Sequence, residues 1–352
     1  MENFIKIEKK FIVDEEIIDE NDILINKYVP NKLEDFKINH NLASKLNNIL
    51  LNNNIMNLFL FGPEGNGKYT LAKFYLKSYF KEKCKLEKKI FKYETKEFEY
   101  FKSRIHYEII CNDYNFNDLN LVISFFDLIV NKDIETFGNK KNIIVIKNVH
   151  LLKNNILKSI KNCVDKYYLF NIFILISDKL LINKITTYFC CIRVPLPNKE
   201  ELLELCNNIC GSESLKIKKS ETEEIVKKSN GSMKNMKHLI EFSFLSGKYE
   251  KYEDPVDDKM KFLYKIMKKK SMTTIYIVRE LLKELIIENV RPNLILKFLL
   301  NKYKKEYISQ KISYEKILHI IQILNKCSLR IATGLRPIIN LESCMIEIID
   351  FL

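Results

Sequence analysis

The string Gly62-Pro63-Glu64-Gly65-Asn66-Gly67-Lys68-Tyr69-Thr70 constrains this chain more than any other stretch. It has the spacing GxxxxGK. It follows a short apolar run at residues 57–61 and opens a helical pattern at 68–79 that puts Leu71, Ala72, Tyr75 and Leu76 on one face. Strand, glycine turn and helix together form the context in which this spacing cradles a phosphate. Gly62, Gly65 and Gly67 let the backbone aim N–H groups at an anion. The helix start adds free N–H groups and a positive dipole end, and Lys68 can reach β- and γ-phosphates. One position departs from the motif. The residue after the lysine should carry a Ser or Thr hydroxyl for Mg²⁺, but Tyr69 stands there with a phenol too long for that role. Thr70 comes one residue later, about 100° round the helix.

The flanking sequence sets this loop in an α/β sheet. Short runs rich in Ile, Val or Phe at residues 107–111, 142–146 and 172–177 read as buried parallel strands, with helices between them, and residues 192–194 read as one more strand ended by Pro195 and Pro197. An amphipathic helix at 41–53 precedes the loop. After Pro197 the strand signals stop. Residues 200–209, 220–229 and 232–245 read as three lid helices, and 272–289, 293–305, 313–329 and 337–351 as four longer ones. The expected organisation is an N-terminal extension at 1–23, a P-loop nucleotide-binding domain at 24–198, a helical lid at 199–247, a linker at 248–268 and a helical collar or oligomerisation domain at 269–352.

Composition narrows the partners. The formal net charge of +13 favours a polyanion such as DNA or RNA, although lysines spread over solvated faces produce the same surplus. The nine cysteines include no CxxC pair, which argues against a zinc ribbon and for reduced thiols. Residues 1–10 mix charges with isolated apolar residues and carry no secretory pattern, and no apolar run approaches the length of a membrane span. A soluble intracellular protein without a membrane partner is expected.

Catalysis needs more than the loop. A P-loop ATPase holds Mg²⁺ and polarises water with acidic residues at the end of a neighbouring strand. The strand at 142–146 is followed by Lys147, Asn148, Val149 and His150. Lys147 and Asn148 fall where acids belong; a lysine there repels Mg²⁺, and it reads as a solvated strand-end residue in preference to an ammonium set against a phosphate in the metal's place. Asp178, after the next strand, is the alternative acid, unless it is a turn or capping aspartate. Asp165 reads as a surface residue.

These residues resemble the replication factor C small subunits, members of the AAA+ family. Leu24-Ile-Asn-Lys27-Tyr28-Val29-Pro30-Asn-Lys-Leu33-Glu-Asp-Phe36 is similar to the family's opening pattern W-x-E-K-Y-R-P-x-x-L-x-D-F. Ile192-Arg193-Val194-Pro195-Leu196-Pro197 resembles the strand after its Ser-Arg-Cys motif, and Gly231-Ser232-Met233-Lys234 resembles the lid motif G-D-M-R. The likeness spans residues 24–352 and is greatest to the eukaryotic paralogue with a divergent ATP site. It implies an AAA+ module in a five-subunit arc that loads a ring-shaped sliding clamp at primer–template DNA in the nucleus, with ATP or ADP at sites shared between subunits. It also implies that Tyr28 and Lys234 line the nucleotide site with residues 62–70. The departures run in one direction: Val29 for an arginine, Tyr69 for the hydroxyl, Lys147 and Asn148 for the acids, and Tyr188 or Phe189 for the trans-acting arginine.

The expectation is a structural subunit that holds ATP or ADP weakly or without turnover, with Mg²⁺ doubtful and no catalytic residue of its own. Two alternatives stay open: an active P-loop ATPase using Asp178, and an AAA+ module repurposed outside replication.

Overall fold

The structure is a computed structural model that describes residues 23–51, 55–80, 86–93, 96–103, 106–111, 119–132, 141–167, 171–181, 188–215, 217–246, 254–269, 271–334 and 336–351. The chain divides into two compact units, Met1–Glu250 and Lys251–Leu352. In the first, a one-turn helix α1 (Leu24–Lys27) and helix α2 (His40–Leu51) lead into strand β1 (Leu58–Phe61) and helix α3 (Lys68–Phe80). A strand pair follows, β2 (Glu87–Tyr93) and β3 (Lys96–Lys102), then β4 (His106–Ile110) and α4 (Leu119–Lys132). The sheet is completed by β5 (Asn142–Lys147), α5 (Asn154–Tyr167), β6 (Asn171–Ser177) and β7 (Cys190–Arg193). Helices α6 (Lys199–Ser212), α7 (Lys219–Lys228) and α8 (Met233–Leu245) close the unit.

Among the described residues, seven strands form one sheet in the order β2-β3-β4-β5-β6-β1-β7. From β4 to β7 every pairing is parallel, while β2 and β3 pair antiparallel with their neighbours. Side chains alternate across a strand, so each central strand feeds two cores. Phe59, Ile144, Ile146, Phe173 and Leu175 face one side, where α4 and α5 supply Phe125, Phe126, Ile156 and Ile160. Leu58, Leu60, Ile143, Val145, Ile172 and Ile174 face the other, where α2 and α3 supply Leu46, Leu71 and Tyr75. The lid has its own core of Leu202, Cys206, Ile209, Ile225, Met236 and Ile240, which also takes in Leu24 and Ile38. This is the α/β domain, a largely parallel sheet covered by helices and followed by a small helical lid, that was expected from the sequence.

The helices expected between the later strands are α4 and α5, whereas the hairpin β2–β3 falls in residues 80–106, to which the sequence reading assigned no element. The signal was period-two alternation: Phe91 and Tyr93 on β2 and Phe98 and Tyr100 on β3 pack against the sheet core. The solvent side carries the ion pairs Lys88–Glu99 and Lys92–Glu97, each at 2.9 Å. Alternating lysines and glutamates hid the strands from a search for apolar runs.

Among the described residues the second unit is all helix: α9 (Pro255–Met267), α10 (Met272–Ile287), α11 (Pro292–Ile308), α12 (Tyr314–Thr333) and α13 (Pro337–Phe351). The segment 248–268, read as a linker, contains α9 in its later part. Asp254 caps that helix by accepting from Val256 N at 2.9 Å, and Pro255 sits in its first turn, where a missing N–H costs nothing. Leu263 and Met267 of α9 are fully buried in the bundle core with Leu282, Leu299, Ile320 and Met345. The proline marked a helix start, not a loop. The expected extension at 1–23 lies outside the described residues except for residue 23. Among the described residues, no helix is long and apolar enough to cross a membrane.

Phe125 is fully buried and lies edge-on to Phe91, Phe98 and Tyr100 with ring centroids 5.2, 4.6 and 5.1 Å away. Phe125→Ala is expected to destabilise the first unit by about 3–5 kcal/mol, measured by urea denaturation.

Candidate nucleotide site

Parallel pairing delivers the loop to the carboxyl ends of the strands. Gly62 N donates to Ser177 O of β6 at 3.2 Å, and Val194 N donates to Phe61 O at 2.8 Å. Gly62, Gly65 and Gly67 have φ of 148°, 76° and 87°. A Cβ at Gly62 would sit 2.1 Å from Val194 O, and one at Gly65 would sit 2.0 Å from Ser232 Oγ, so neither position admits a side chain. Asn66 is buried, donates through Nδ2 to Val194 O, and accepts on its own carbonyl from Asn39 Nδ2 at 3.2 Å. Helix α3 starts at Lys68, where Leu71 N donates to Gly67 O at 3.0 Å. A turn that only glycine can make, a helix start and a lysine fit a phosphate.

Lys68 is only 6% exposed. Its ammonium donates to Gly62 O and Pro63 O, each at 2.6 Å, and pairs with Asp178 Oδ1 at 3.0 Å. Asp178 is also fastened to His150: its backbone N–H donates to Nδ1 at 3.2 Å, and Oδ2 lies 3.6 Å from Nε2. The alternative acid named from the sequence therefore does lie at the loop, ion-paired to the P-loop lysine.

The lid reaches the loop as well. Lys234 N donates to Gly65 O at 3.3 Å, and the Lys234 ammonium lies 4.0 Å from Glu64. Met233 Cε would stand 3.3 Å from a Cβ on Gly67. Glu64 and Pro63 are exposed, and Tyr69 and Thr70 are half-buried. Tyr28 sits apart from these residues. Its ring packs on the lid core, its hydroxyl donates to Glu213 at 2.5 Å, and its carbonyl accepts from Lys237 at 2.9 Å. Burial pulls the Lys237 ammonium down to about 8. Of the residues singled out from the sequence, the structure brings 62–70 and Lys234 together and ties Tyr28 to the lid.

The metal side of the site is rebuilt around a residue the sequence reading passed over. Glu108 lies in β4 and is 1% exposed. Tyr69 Oη donates to both its oxygens, at 2.9 and 2.8 Å. Lys147 Nζ pairs with Oε2 at 2.7 Å and lies 3.5 Å from the centre of the Tyr69 ring. His106 Nε2 is 3.0 Å from Oε1, and its Nδ1 is 2.7 Å from Ser103 Oγ. With the proton on Nε2, the imidazole donates to Glu108 and accepts from Ser103. Burial pushes the Glu108 carboxyl up. The His106 hydrogen bond and the Lys147 charge outweigh it and hold the group at about 2. Burial lowers the Lys147 ammonium, against the opposing pull of Glu108.

Mg²⁺ does not fit this donor set. The Tyr69 hydroxyl is turned to Glu108, both Glu108 oxygens are taken, and a cation stands at the strand end where an acid belongs. Asn148 has φ 60° and ψ 36°, a left-handed turn that asparagine tolerates, so it bends the chain out of β5. Among the described residues, no group of three or more His, Cys, Asp or Glu is placed to hold a metal. Phe189 is buried in the sheet core and Tyr188 is exposed.

No protein-family model matches the chain. Among curated proteins it is 25% identical to replication factor C subunit 3 of Arabidopsis thaliana over 305 residues, covering 81% of this chain and 86% of that protein. It is 24% identical to replication factor C subunit 5 of Oryza sativa subsp. japonica, with 80% and 85% covered. This chain resembles replication factor C small subunits. Replication factor C subunit 5 of Saccharomyces cerevisiae is 22% identical, with 78% and 84% covered. Solved structures that align with the chain include the Thermotoga maritima RuvB Holliday junction branch migration motor, at 18% identity and TM-score 0.44 over 68% of this chain and 78% of that one. The Bacillus subtilis DNA clamp loader delta protein aligns at 13% identity and TM-score 0.31 over 88% and 99%.

Glu108→Gln leaves the Lys147 ammonium without its counter-charge and is expected to cost about 3 kcal/mol at pH 7 in urea unfolding. The carboxyl is depressed from 4.5 to about 2, so its contribution is present above pH 4.5 and disappears as pH falls towards 2. Wild-type stability should fall through that window, and the variant's curve should be flatter there.

Proposed function

We propose that this chain is a clamp-loader subunit of the replication factor C type that binds ATP or ADP at residues 62–70 and does not hydrolyse it efficiently. The observation that carries the non-hydrolytic part is the Lys147–Glu108 ion pair beside Tyr69. Efficient phosphoryl transfer needs a metal to bridge the phosphates and an acid to orient water. Here the strand-end acids are replaced by a cation and a turn-forming asparagine. The relatives and the order of the motifs support the clamp-loader part. On this reading the partners are other clamp-loader subunits, in a hetero-pentamer, with a sliding clamp and primer–template DNA. The location follows from that work and is nuclear. The net charge of +13 supports contact with DNA phosphates, which need no sequence specificity.

Nucleotide in such a site is an adhesive between loop and lid. Lys234 and Met233 meet the loop from one end of α8, and Tyr28 and Lys237 hold the segment at 24–38 against the same helix. A phosphate on the glycine loop would brace the sheet against the lid.

A second reading is favoured by one contact. Asp178 lies 3.0 Å from the Lys68 ammonium, where an acid able to serve catalysis would stand. The two readings separate by turnover. On the proposed function, purified chain hydrolyses ATP at background rate, Asp178→Asn changes nothing, and Lys68→Ala weakens nucleotide binding about tenfold or more. Turnover that Asp178→Asn abolishes establishes the second reading. Affinity capture of the full chain from its own cells is expected to recover clamp-loader subunits and sliding clamp. Recovery of neither supports a module working outside replication.

A further inference from the structure

The disagreement between the site and a metal ion extends the proposed function. Two ion pairs flank the first turn of α3, Lys68–Asp178 at 3.0 Å and Lys147–Glu108 at 2.7 Å. Both belong to the protein, and each places an ammonium beside that turn. In a metal-dependent P-loop site, Mg²⁺ supplies the positive charge that phosphates need, and strand-end carboxylates hold the ion. Here the positive charge is built in as the Lys147 ammonium. The Glu108 carboxylate behind it is fully enclosed by Tyr69, His106 and Lys147.

Three features make this arrangement a substitute for the metal instead of a surface lysine near the site. Lys147 is held between the Tyr69 ring and Glu108, a cation over an aromatic face on one side and a short ion pair on the other. Tyr69 directly follows Lys68, so the ammonium is fixed beside the residue that opens the phosphate-facing helix turn. Glu108 is in turn fixed by His106 and Ser103, which orients the whole cluster from the far side. A divalent ion entering here would meet the half-buried Lys147 ammonium and no free carboxylate oxygen on Glu108.

We propose that this site binds a nucleoside di- or triphosphate without a divalent metal ion, with the Lys147 ammonium, seated on Tyr69 and Glu108, providing the positive charge that Mg²⁺ provides elsewhere. This rests on the reading that residues 62–70 bind nucleotide. A lysine differs from Mg²⁺ in being permanent. Nucleotide affinity then does not follow metal concentration, and a bound nucleotide is not released when the metal is chelated.

The test is a titration of the full chain with ADP carrying a fluorescent N-methylanthraniloyl group, in buffer with Mg²⁺ and in buffer with EDTA. The two dissociation constants are expected to agree within about twofold. An affinity that falls tenfold or more in EDTA overturns the proposal and leaves nucleotide binding intact, whereas no binding in either buffer overturns both. Lys147→Met alone strands the buried Glu108 charge and is open to misfolding, so the decisive variant is Lys147→Met with Glu108→Gln. Replacing both members of such a pair is often neutral for stability, whereas removing one leaves an uncompensated charge. With circular dichroism and melting temperature near wild type, this variant is expected to lose about tenfold in EDTA affinity. A folded double variant with wild-type affinity in EDTA also overturns the role of Lys147.

Discussion

A charged side chain inside a parallel sheet must find its opposite or pay heavily for burial, and this constraint organises the first unit around Glu108. Period-two alternation puts His106 and Glu108 on the same face of β4. The register pairs Glu108 with Val145 and Ile110 with Lys147. Val145 belongs to the core that α3 covers, so Lys147, two residues on, faces the same way. Helix α3 lies over that face and lowers Tyr69 onto the pair. The ion pair is no evidence of unusual stability, since two well-packed apolar residues would serve as well. What it provides is a fixed geometry: strand, strand and helix start are pinned at the edge of the glycine loop.

From that point the site is a set of nested fastenings. The loop is anchored to β6 through Gly62 and to the end of β7 through Asn66. Lys68 is drawn to Asp178, which His150 holds from the turn after β5. The lid touches the loop by the first turn of α8, and Gly65 is the position where the two meet without room for a Cβ. A phosphate bound here would touch elements that belong to the sheet, the loop and the lid together. Binding to the folded form alone stabilises it in proportion to saturation, so a nucleotide held this way contributes to rigidity even where it contributes nothing to chemistry.

Much of this was legible in the sequence because it followed strong periodicities. The parallel strands, the glycine loop, α3, the lid helices and the four later helices all carry long apolar patterns, and their bounds shifted by only a few residues. The absence of acids at Lys147 and Asn148 was also visible. Two things were not. The hairpin of β2 and β3 hides its alternation behind lysines and glutamates on a solvent face that also carries the exposed Ile90. Glu108 was passed over because β4 was read as an apolar run, and a single glutamate inside one looks like noise. The missed signal was physical: Glu108 inside a buried strand requires a partner, and Lys147 was already known to stand without an acid. Pairing the two would have needed the strand register, which depends on residues far apart in the chain. The helix α9 was lost for a simpler reason, since Pro255 and its charged neighbours were read as a linker when they are a capped helix start.

The substitutions at this site are therefore not independent losses. A carboxylate at position 147 beside Glu108 would place two like charges in one buried pocket, and a short hydroxyl at position 69 would leave Glu108 without its double hydrogen bond. A divalent ion brought within about 6 Å of an ammonium is repelled by about 5 kcal/mol at an effective dielectric near 20. Each change makes the metal-binding alternative at the other positions more costly. Tyr69, Glu108 and Lys147 form a unit in which the helix start, the buried carboxylate and the strand-end cation are mutually satisfied. Restoring a single acid or a single hydroxyl would break that satisfaction before it rebuilt a metal site. The departure from the ATPase pattern is a coherent alternative structure, in which Tyr69, Glu108 and Lys147 satisfy one another beside the glycine loop.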